Sequence, residues 1–456
     1  MKRRSRCRES RGWPRLGGWL LGPALALVAA TVTATALLWR LPGPGVGSRG
    51  PEPVTPAVLQ AAPGQGTRNA APGSGTRGDR AVPGRLPDGL LAQVPPPPRL
   101  SARAAILMDW QTGQVLHARE ALAPRPPAST TKILTALIAL ERGRLSDRVT
   151  ISRRAAATPG SSMSLRAGEV YTLHDLLRGL LLRSGNDAAV AIAEHIAGSV
   201  EAFAALMNER ARELGARQSR FLNPHGLHQP GHYSTAYDLA LIARHALAHP
   251  VFADLVRQRE ALVGEGARTR VLSNTNRLLW HLPGADGVKT GTTSAAGECL
   301  VASATRPDPE TGLEQKLIAV VLDADARWED SAELLNWGFE HFRLVPVASP
   351  GDGLWEVPVR GGREPRIRVA PAAPLAVVVP RSLAGEPVLT LRLPPAAPAP
   401  VRPGTPLGTA EVAWGDWVLH QVPLVAAEEV VGAGWATWLV RPALPWLRWL
   451  GRQGWV

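Results

Sequence analysis

The sequence predicts an α/β domain, with an antiparallel sheet flanked by helices and a helical subdomain, followed by a small all-β domain. Three observations carry this expectation. Strand-like text stands at both ends of residues 100–345, near 104–118 and again at 297–304 and 316–323, with helical text between. One sheet assembled from the two ends, with a helical insert, accounts for that order. From residue 351 the texture changes to short alternating apolar segments divided by Gly and Pro. The chain has 456 residues, which is length for two or three domains.

Each element has a local reason. Residues 1–40 carry a basic start and then an uncharged apolar run over 17–39, long enough to span a bilayer. Ala34-Thr-Ala36 is a small-x-small site that a signal peptidase could cut, so a cleaved signal peptide and a retained anchor both fit. Residues 41–99 run in Pro, Gly, Ala, Ser and Arg without apolar periodicity, and read as a disordered extracytoplasmic linker. A hairpin is expected over 104–118, turning at Gly113. A helix is expected to open at Ser129, with an apolar face behind it. Residues 173–197 read as helix broken at Ser184-Gly-Asn186, and 200–214 and 236–248 as further helices. A helix over 328–342 closes the region. Strands of the β-rich domain, residues 350–430, are expected near 354–359, 366–369, 375–380, 388–393 and 417–422. The tail, 431–456, holds five of the fifteen tryptophans with Arg441, Arg448 and Arg452 among them, a composition suited to a membrane interface.

The formal net charge is +13, from 51 Lys+Arg against 38 Asp+Glu. Much of the excess sits in the first fifteen residues. No basic stripe with interleaved aromatics appears, so nucleic acid is not an expected partner. The surface would suit an anionic envelope instead. Cys7 and Cys299 lie far apart in unlike segments, and no structural disulfide is expected. No cluster has metal-ligand spacing, so no metal and no cofactor is expected.

Three motifs carry the chemistry. In Ser129-Thr-Thr-Lys132 the lysine amine can lie over the serine hydroxyl, because residues three apart share a helix face. Serine is a weak nucleophile until a base stands beside it. A lysine whose pKa is lowered can be that base, and an arginine cannot. The Ser129 N–H at a helix start can face an oxyanion. Only four of the 51 basic residues are lysine, and two of them, Lys132 and Lys289, fall in these motifs. Ser184-Gly185-Asn186 forms a tight turn that can project a second hydroxyl and an amide into a cleft. Lys289-Thr290-Gly291-Thr292 precedes strand-like text. Its ammonium and the Thr290 hydroxyl suit a carboxylate, Gly291 lets a substrate backbone lie close, and the Thr292 N–H can complete an oxyanion hole. Singly these motifs are common. His225 and His232 are expected to be structural, and Tyr233 and Tyr237 to be packing residues.

In this order the motifs are those of β-lactamases and penicillin-binding proteins. Residues 100–345 resemble the serine-type D-alanyl-D-alanine carboxypeptidases, the low-molecular-mass penicillin-binding proteins. The segments starting at Pro126, Leu182, Asn223, His232, Asn274 and Gly287 all look like that family. The β-rich part and Trp-rich end resemble its C-terminal domain and amphipathic anchor. The resemblance implies a β-lactamase/transpeptidase-like fold and an envelope enzyme at the outer surface of the cytoplasmic membrane. Its substrate would be a peptidoglycan stem peptide ending in D-Ala-D-Ala, and its inhibitors β-lactams. Ser129 would be acylated, Lys132 would be the base and Ser184 the proton shuttle. Asn186 would orient the substrate, and Lys289 and Thr290 would hold its carboxylate. A peptidoglycan endopeptidase, a class A-like β-lactamase and a non-catalytic muropeptide-binding envelope protein remain alternatives. A class A enzyme has Asp where Gly185 stands.

Overall fold

The computed structural model describes residues 82–266, 269–348 and 355–433. The expected targeting segment, most of the linker, the Trp-rich tail beyond Ala433 and Cys7 lie outside the described residues.

The central sheet joins the two ends of residues 100–345. Its strands are β1 (Ala104–Asp109), β2 (Val115–Arg119), β3 (Ala285–Thr293), β4 (Gly297–Pro307) and β5 (Glu314–Ala324). Their order is β2-β1-β5-β4-β3, antiparallel throughout. Ile106 faces Val320 across the β1–β5 pairing, where the ends meet. The β1–β2 hairpin turns at Gly113, whose φ is +75°.

Helices cover both faces, which is why β1 is apolar at nearly every position rather than alternating. Ala104, Ile106 and Met108 point into the core shared with the helical insert. Ala105 and Leu107 point to the other face, under the helix Arg327–His341. The insert contains α1 (Lys132–Arg142), α2 (Leu173–Leu181), α3 (Asn186–Ala197), α4 (Val200–Glu213), α5 (Ala236–Leu247) and α6 (Pro250–Arg257), and Arg327–His341 is α7. Starts are capped as the residue types ask: the Thr172, Ser199 and Thr235 hydroxyls accept from the N–H three residues on. The break between α2 and α3 falls at Ser184-Gly185, as expected. Helix α1 is buried from Lys132 to Ala139. A helix enclosed on all sides can keep a lysine dry.

The second domain opens with β6 (Phe342–Ala348), which pairs antiparallel with Leu375–Pro380. The closing helix therefore ends at His341, and the β-rich domain begins within the expected 100–345 boundary rather than at 350. Leu375–Pro380 is buried throughout because it serves two cores. Leu375, Val377 and Val379 pack on Ala410, Val412 and Leu424, while Ala376 and Val378 pack with Trp337 and Phe342. A six-stranded sheet completes the domain. Its strand Pro406–Trp414 is absent from the sequence expectation, because Gly408 and Pro406 obscure its alternation.

The expected linker 41–99 is shorter than its composition implies. Residues 82–99 lie on the folded domains, with Val82, Leu86 and Leu90 buried. The Leu86 N–H donates to the Val115 carbonyl at 3.0 Å, and the Trp337 indole donates to the Pro95 carbonyl at 3.1 Å. A surface already folded needs only a few apolar side chains to hold such a segment, and periodicity does not reveal it.

An ion pair links the two domains. Arg381 Nη2 meets Asp308 Oδ2 at 2.8 Å, and the Asp308 side chain is 0 % exposed. Burial raises the Asp308 pKa, but Arg381 and the Thr311 and Glu310 N–H groups outweigh it, and the carboxyl titrates below its usual range. Its stabilisation is thus present above that range and is lost as pH falls through the lowered pKa. Arg381→Ala leaves the carboxylate without its cation and should lower the unfolding free energy by about 3 kcal/mol at neutral pH, measured by denaturant titration.

Candidate active site

The nucleophile turn differs from the expected helix start. Ala128–Thr131 is a 3-10 turn, and the α-helix proper begins at Lys132. The Thr130 hydroxyl and N–H both donate to the Pro127 carbonyl, at 2.6 and 3.3 Å, and wind the turn tightly. Side chains three apart nearly eclipse in such a turn, so Lys132 stands over Ser129. Ala128 has φ +47°, in the left-handed region. Gly226 backs directly onto it, and a Cβ there would lie 1.8 Å from the Ala128 carbonyl oxygen.

Lys132 Nζ has three acceptors. It donates to Ser129 Oγ at 2.8 Å, to Asn186 Oδ1 at 2.7 Å and to the His225 carbonyl at 2.7 Å. The side chain is fully buried. Burial, and then the nearby Lys289 ammonium, push its pKa well below the ordinary lysine value, against the opposing pull of Asp187. When neutral, the amine keeps two donors, for Asn186 Oδ1 and the His225 carbonyl, and its lone pair faces the Ser129 hydroxyl, whose proton it can take. Ser129 itself is half-buried and open to a substrate.

The second motif turns where α2 gives way to α3. Ser184 is buried with φ +62°, and Asn186 opens α3. The Asn186 amide Nδ2 donates to the Pro159 carbonyl at 2.7 Å, which fixes its Oδ1 toward Lys132. Asp187 accepts from the Ser162 hydroxyl and from the Met163 and Leu165 N–H groups, tying residues 162–165 to this turn.

The third motif lies on β3, against the nucleophile. A Cβ on Gly291 would stand 2.9 Å from the Ser129 nitrogen and 3.1 Å from the Pro127 carbonyl oxygen, so only glycine fits. Lys289 is buried, with Nζ 3.2 Å from the Thr290 carbonyl and 3.4 Å from its hydroxyl. Burial, and then the Arg327 guanidinium, push its pKa down to about 7. Thr290 is buried and Thr292 exposed on the same strand.

Comparison with known proteins shows the family. The family model for D-alanyl-D-alanine carboxypeptidase matches residues 91–326. The chain belongs to the D-alanyl-D-alanine carboxypeptidase family. Residues 342–431 match the C-terminal domain of penicillin-binding protein 5, so the β6 boundary seen in the fold is also the family's. The carboxypeptidase is 34% identical over 357 residues to D-alanyl-D-alanine carboxypeptidase DacF of Bacillus subtilis, covering 76% of this chain and 90% of the relative. It is 36% identical over 357 residues to DacC of Escherichia coli, covering 74% and 86%. The solved structure of penicillin binding protein 5 from Haemophilus influenzae superposes with a TM-score of 0.62 at 30% identity, over 74% of this chain and 99% of that one. The chain is thus a serine hydrolase of the low-molecular-mass penicillin-binding class, with the expected fold.

The carboxypeptidase cleft also contains groups that the motifs do not reveal. Arg327, at the start of α7, donates to the Gly291 carbonyl at 3.1 Å and to Thr292 Oγ1 at 2.6 Å. Among 47 arginines nothing in the text marks it. Thr275 Oγ1 lies 2.8 Å from Thr290 Oγ1. His225 contributes its carbonyl, while its ring nitrogen Nδ1 accepts from the Leu227 N–H at 3.1 Å. The segments of His225 and Thr275 are legible as family text, but their atoms' roles depend on tertiary contacts.

His232 supports the nucleophile turn. Its Nδ1 accepts from the Leu222 N–H at 3.1 Å, so Nε2 carries the proton and donates to Thr131 Oγ1 at 3.1 Å. Burial, then His228, push its pKa from 6.5 to about 4. A histidine depressed in the folded state loses stability as the pH falls from its unfolded value through its folded one. The melting temperature of the carboxypeptidase should therefore fall between about pH 6.5 and about pH 4, and His232→Gln should flatten part of that slope.

Proposed function

We propose that this D-Ala-D-Ala carboxypeptidase removes the terminal D-Ala from peptidoglycan stem peptides through an acyl-enzyme on Ser129. One observation carries the reading: a buried amine of lowered pKa, 2.8 Å from a half-exposed serine hydroxyl. Neutral Lys132 takes the Ser129 proton as Oγ attacks the penultimate D-Ala carbonyl. The oxyanion faces the N–H groups of Ser129 and Thr292. Ser184 passes the proton to the departing D-Ala nitrogen, and the C–N bond breaks. Asn186 orients the substrate amide, for which its bond to Lys132 or to the Pro159 carbonyl must yield when the substrate arrives. Lys289 and Thr290 bind the terminal carboxylate, while Gly291, having no Cβ, lets the strand lie against the Ser129 turn. Water, deprotonated by Lys132, then hydrolyses the ester. β-Lactams acylate the same serine, and their bulk remains bonded where D-Ala would have left.

The arriving carboxylate also sets the charge state of Lys289. With its pKa near 7, the free enzyme holds only part of this residue as ammonium at neutral pH, and the bound anion restores the rest.

Incubation with benzylpenicillin followed by mass spectrometry tests the chemistry. A stable adduct on Ser129, and release of D-Ala from a diacetyl-Lys-D-Ala-D-Ala peptide, are expected. An adduct without D-Ala release favours an endopeptidase or a sensor, and rapid penicillin turnover favours a β-lactamase. Lys132→Arg replaces the base with a cation that does not lose its proton, and should slow acylation roughly a hundred- to ten-thousandfold. The kcat/KM profile should fall on the acid side as Lys132 gains its proton and on the basic side as Lys289 loses its own. The two apparent pKa values belong to the coupled pair.

The enzyme acts outside the cytoplasm, on the cell wall. We further infer that it is attached to the outer surface of the cytoplasmic membrane through residues 431–456, whose five tryptophans among arginines suit an anionic interface. Among the described residues no single helix is long and apolar enough to cross a membrane. In protein lacking residues 1–40, removal of residues 434–456 should abolish cosedimentation with phosphatidylglycerol vesicles and leave penicillin acylation unchanged.

A further inference from the structure

The strand that carries Lys289 is irregular just before it. Ala285 pairs with Ala304, yet Gly287 pairs with Ser303, so Asp286 is an extra residue with no partner across the ladder. Such a bulge decides which face the following side chains occupy. A slip of one residue would turn Lys289 and Thr290 each to the opposite side of the sheet.

Asp286 is held by three side chains from two other strands. Its Oδ1 accepts from the Ser303 hydroxyl at 2.6 Å, and its Oδ2 accepts from the Thr305 hydroxyl at 2.6 Å. Lys316 Nζ, on β5, meets the same Oδ2 at 3.0 Å. The ammonium also lies 5.5 Å from the Trp110 ring centroid, next to the end of β1. On the other side of the bulge Asn276 Nδ2 donates to the Gly287 carbonyl at 2.7 Å. The carboxylate is thus tied to β4 and β5 within three residues of Lys289.

We propose that Asp286 and Lys316 are positioning residues that lock the register of the Lys289-Thr290-Gly291 strand, and so set how well the site receives a substrate carboxylate. The proposal rests on the reading of Lys289 and Thr290 as the carboxylate holders. Neither Asp286 nor Lys316 touches the reacting atoms. Their effect is transmitted along the strand first to Lys289 and Thr290, and only beyond them to Gly291 and Thr292, which lie against the Ser129 turn. Loss of the lock therefore weakens ligands that carry a carboxylate more than reagents that do not.

The test compares two acylating agents on the intact enzyme: benzylpenicillin, which carries a carboxylate, and p-nitrophenyl acetate, which does not. In Asp286→Asn and Lys316→Met the second-order rate with benzylpenicillin should fall roughly ten- to hundredfold, the range for a misplaced binding group. The rate with p-nitrophenyl acetate, which uses the Thr292 N–H but neither Lys289 nor Thr290, should fall several-fold less, and KM for the peptide should rise more than kcat falls. Lys316→Arg retains a cation and donors and should restore most of the benzylpenicillin rate. The double variant should be no worse than the poorer single one, as for two groups acting through one contact. Thermal melts of each variant separate these effects from loss of folding. Equal losses with both reagents, in step with the melting temperature, would overturn the proposal in favour of simple stability, and so would no loss at all. Lys289→Met is the control. If it discriminates between the reagents and Asp286→Asn does not, the register lock alone is wrong. If Lys289→Met does not discriminate either, the carboxylate reading fails and takes this proposal with it.

Discussion

Lys132 Nζ is fully buried and touches Ser129, Asn186 and the His225 carbonyl, which come from three separate segments of the chain. A lysine in water would remain protonated and useless as a base near neutral pH. Desolvation lowers its pKa, and only a complete enclosure desolvates it. The enclosure is α1 inside the helical insert, with the Asn223-Pro-His-Gly loop closing one side and the Ser184-Gly-Asn turn another. The loop can close because Gly226 lacks a Cβ that would collide with Ala128. Removing any wall would leave the amine wetter, and its pKa would rise.

The second lysine obeys the same constraint from the opposite direction. Lys289 must stay partly charged to attract a carboxylate, yet it is buried and faces Arg327. Its charge also helps to depress Lys132. The two amines are therefore coupled, and the strand β3 that fixes their separation is as much a part of the chemistry as the helix α1. The sheet makes that separation rigid, since β3 is paired along its length to β4, and β4 to β5. Beyond α7, the β-rich domain shares apolar surface with the catalytic domain through Ala376 and Val378.

Much of this is legible in the amino-acid sequence. The helix–break–helix at Ser184-Gly185-Asn186, the hairpin at Gly113, and the strands near 297–304 and 316–323 follow from periodicity and from Gly and Asn at turns. The boundaries are less legible. Phe342 reads as the end of a helix because apolar spacing continues into it, but its pairing with Pro380 makes it a strand. Residues 82–99 read as linker because their few apolar side chains have no period, although Leu86 and Leu90 are buried. Both differences arise where a segment takes its conformation from a distant partner.

By itself the sequence determined the kinds of group available: a serine three residues before a lysine, a second hydroxyl and amide around a glycine, and a lysine–threonine–glycine text where nearly every other cation is arginine. Residue type alone limits which of these can lose a proton or hold an anion. The tertiary structure decided which groups act on one another. It turned the expected helix start into a 3-10 turn, delivered the His225 carbonyl to the amine, and brought Arg327 to the edge of β3. The physical reason is that desolvation and charge coupling act over a few ångströms in space, and residues 129, 225, 289 and 327 come within that range only when the chain is folded.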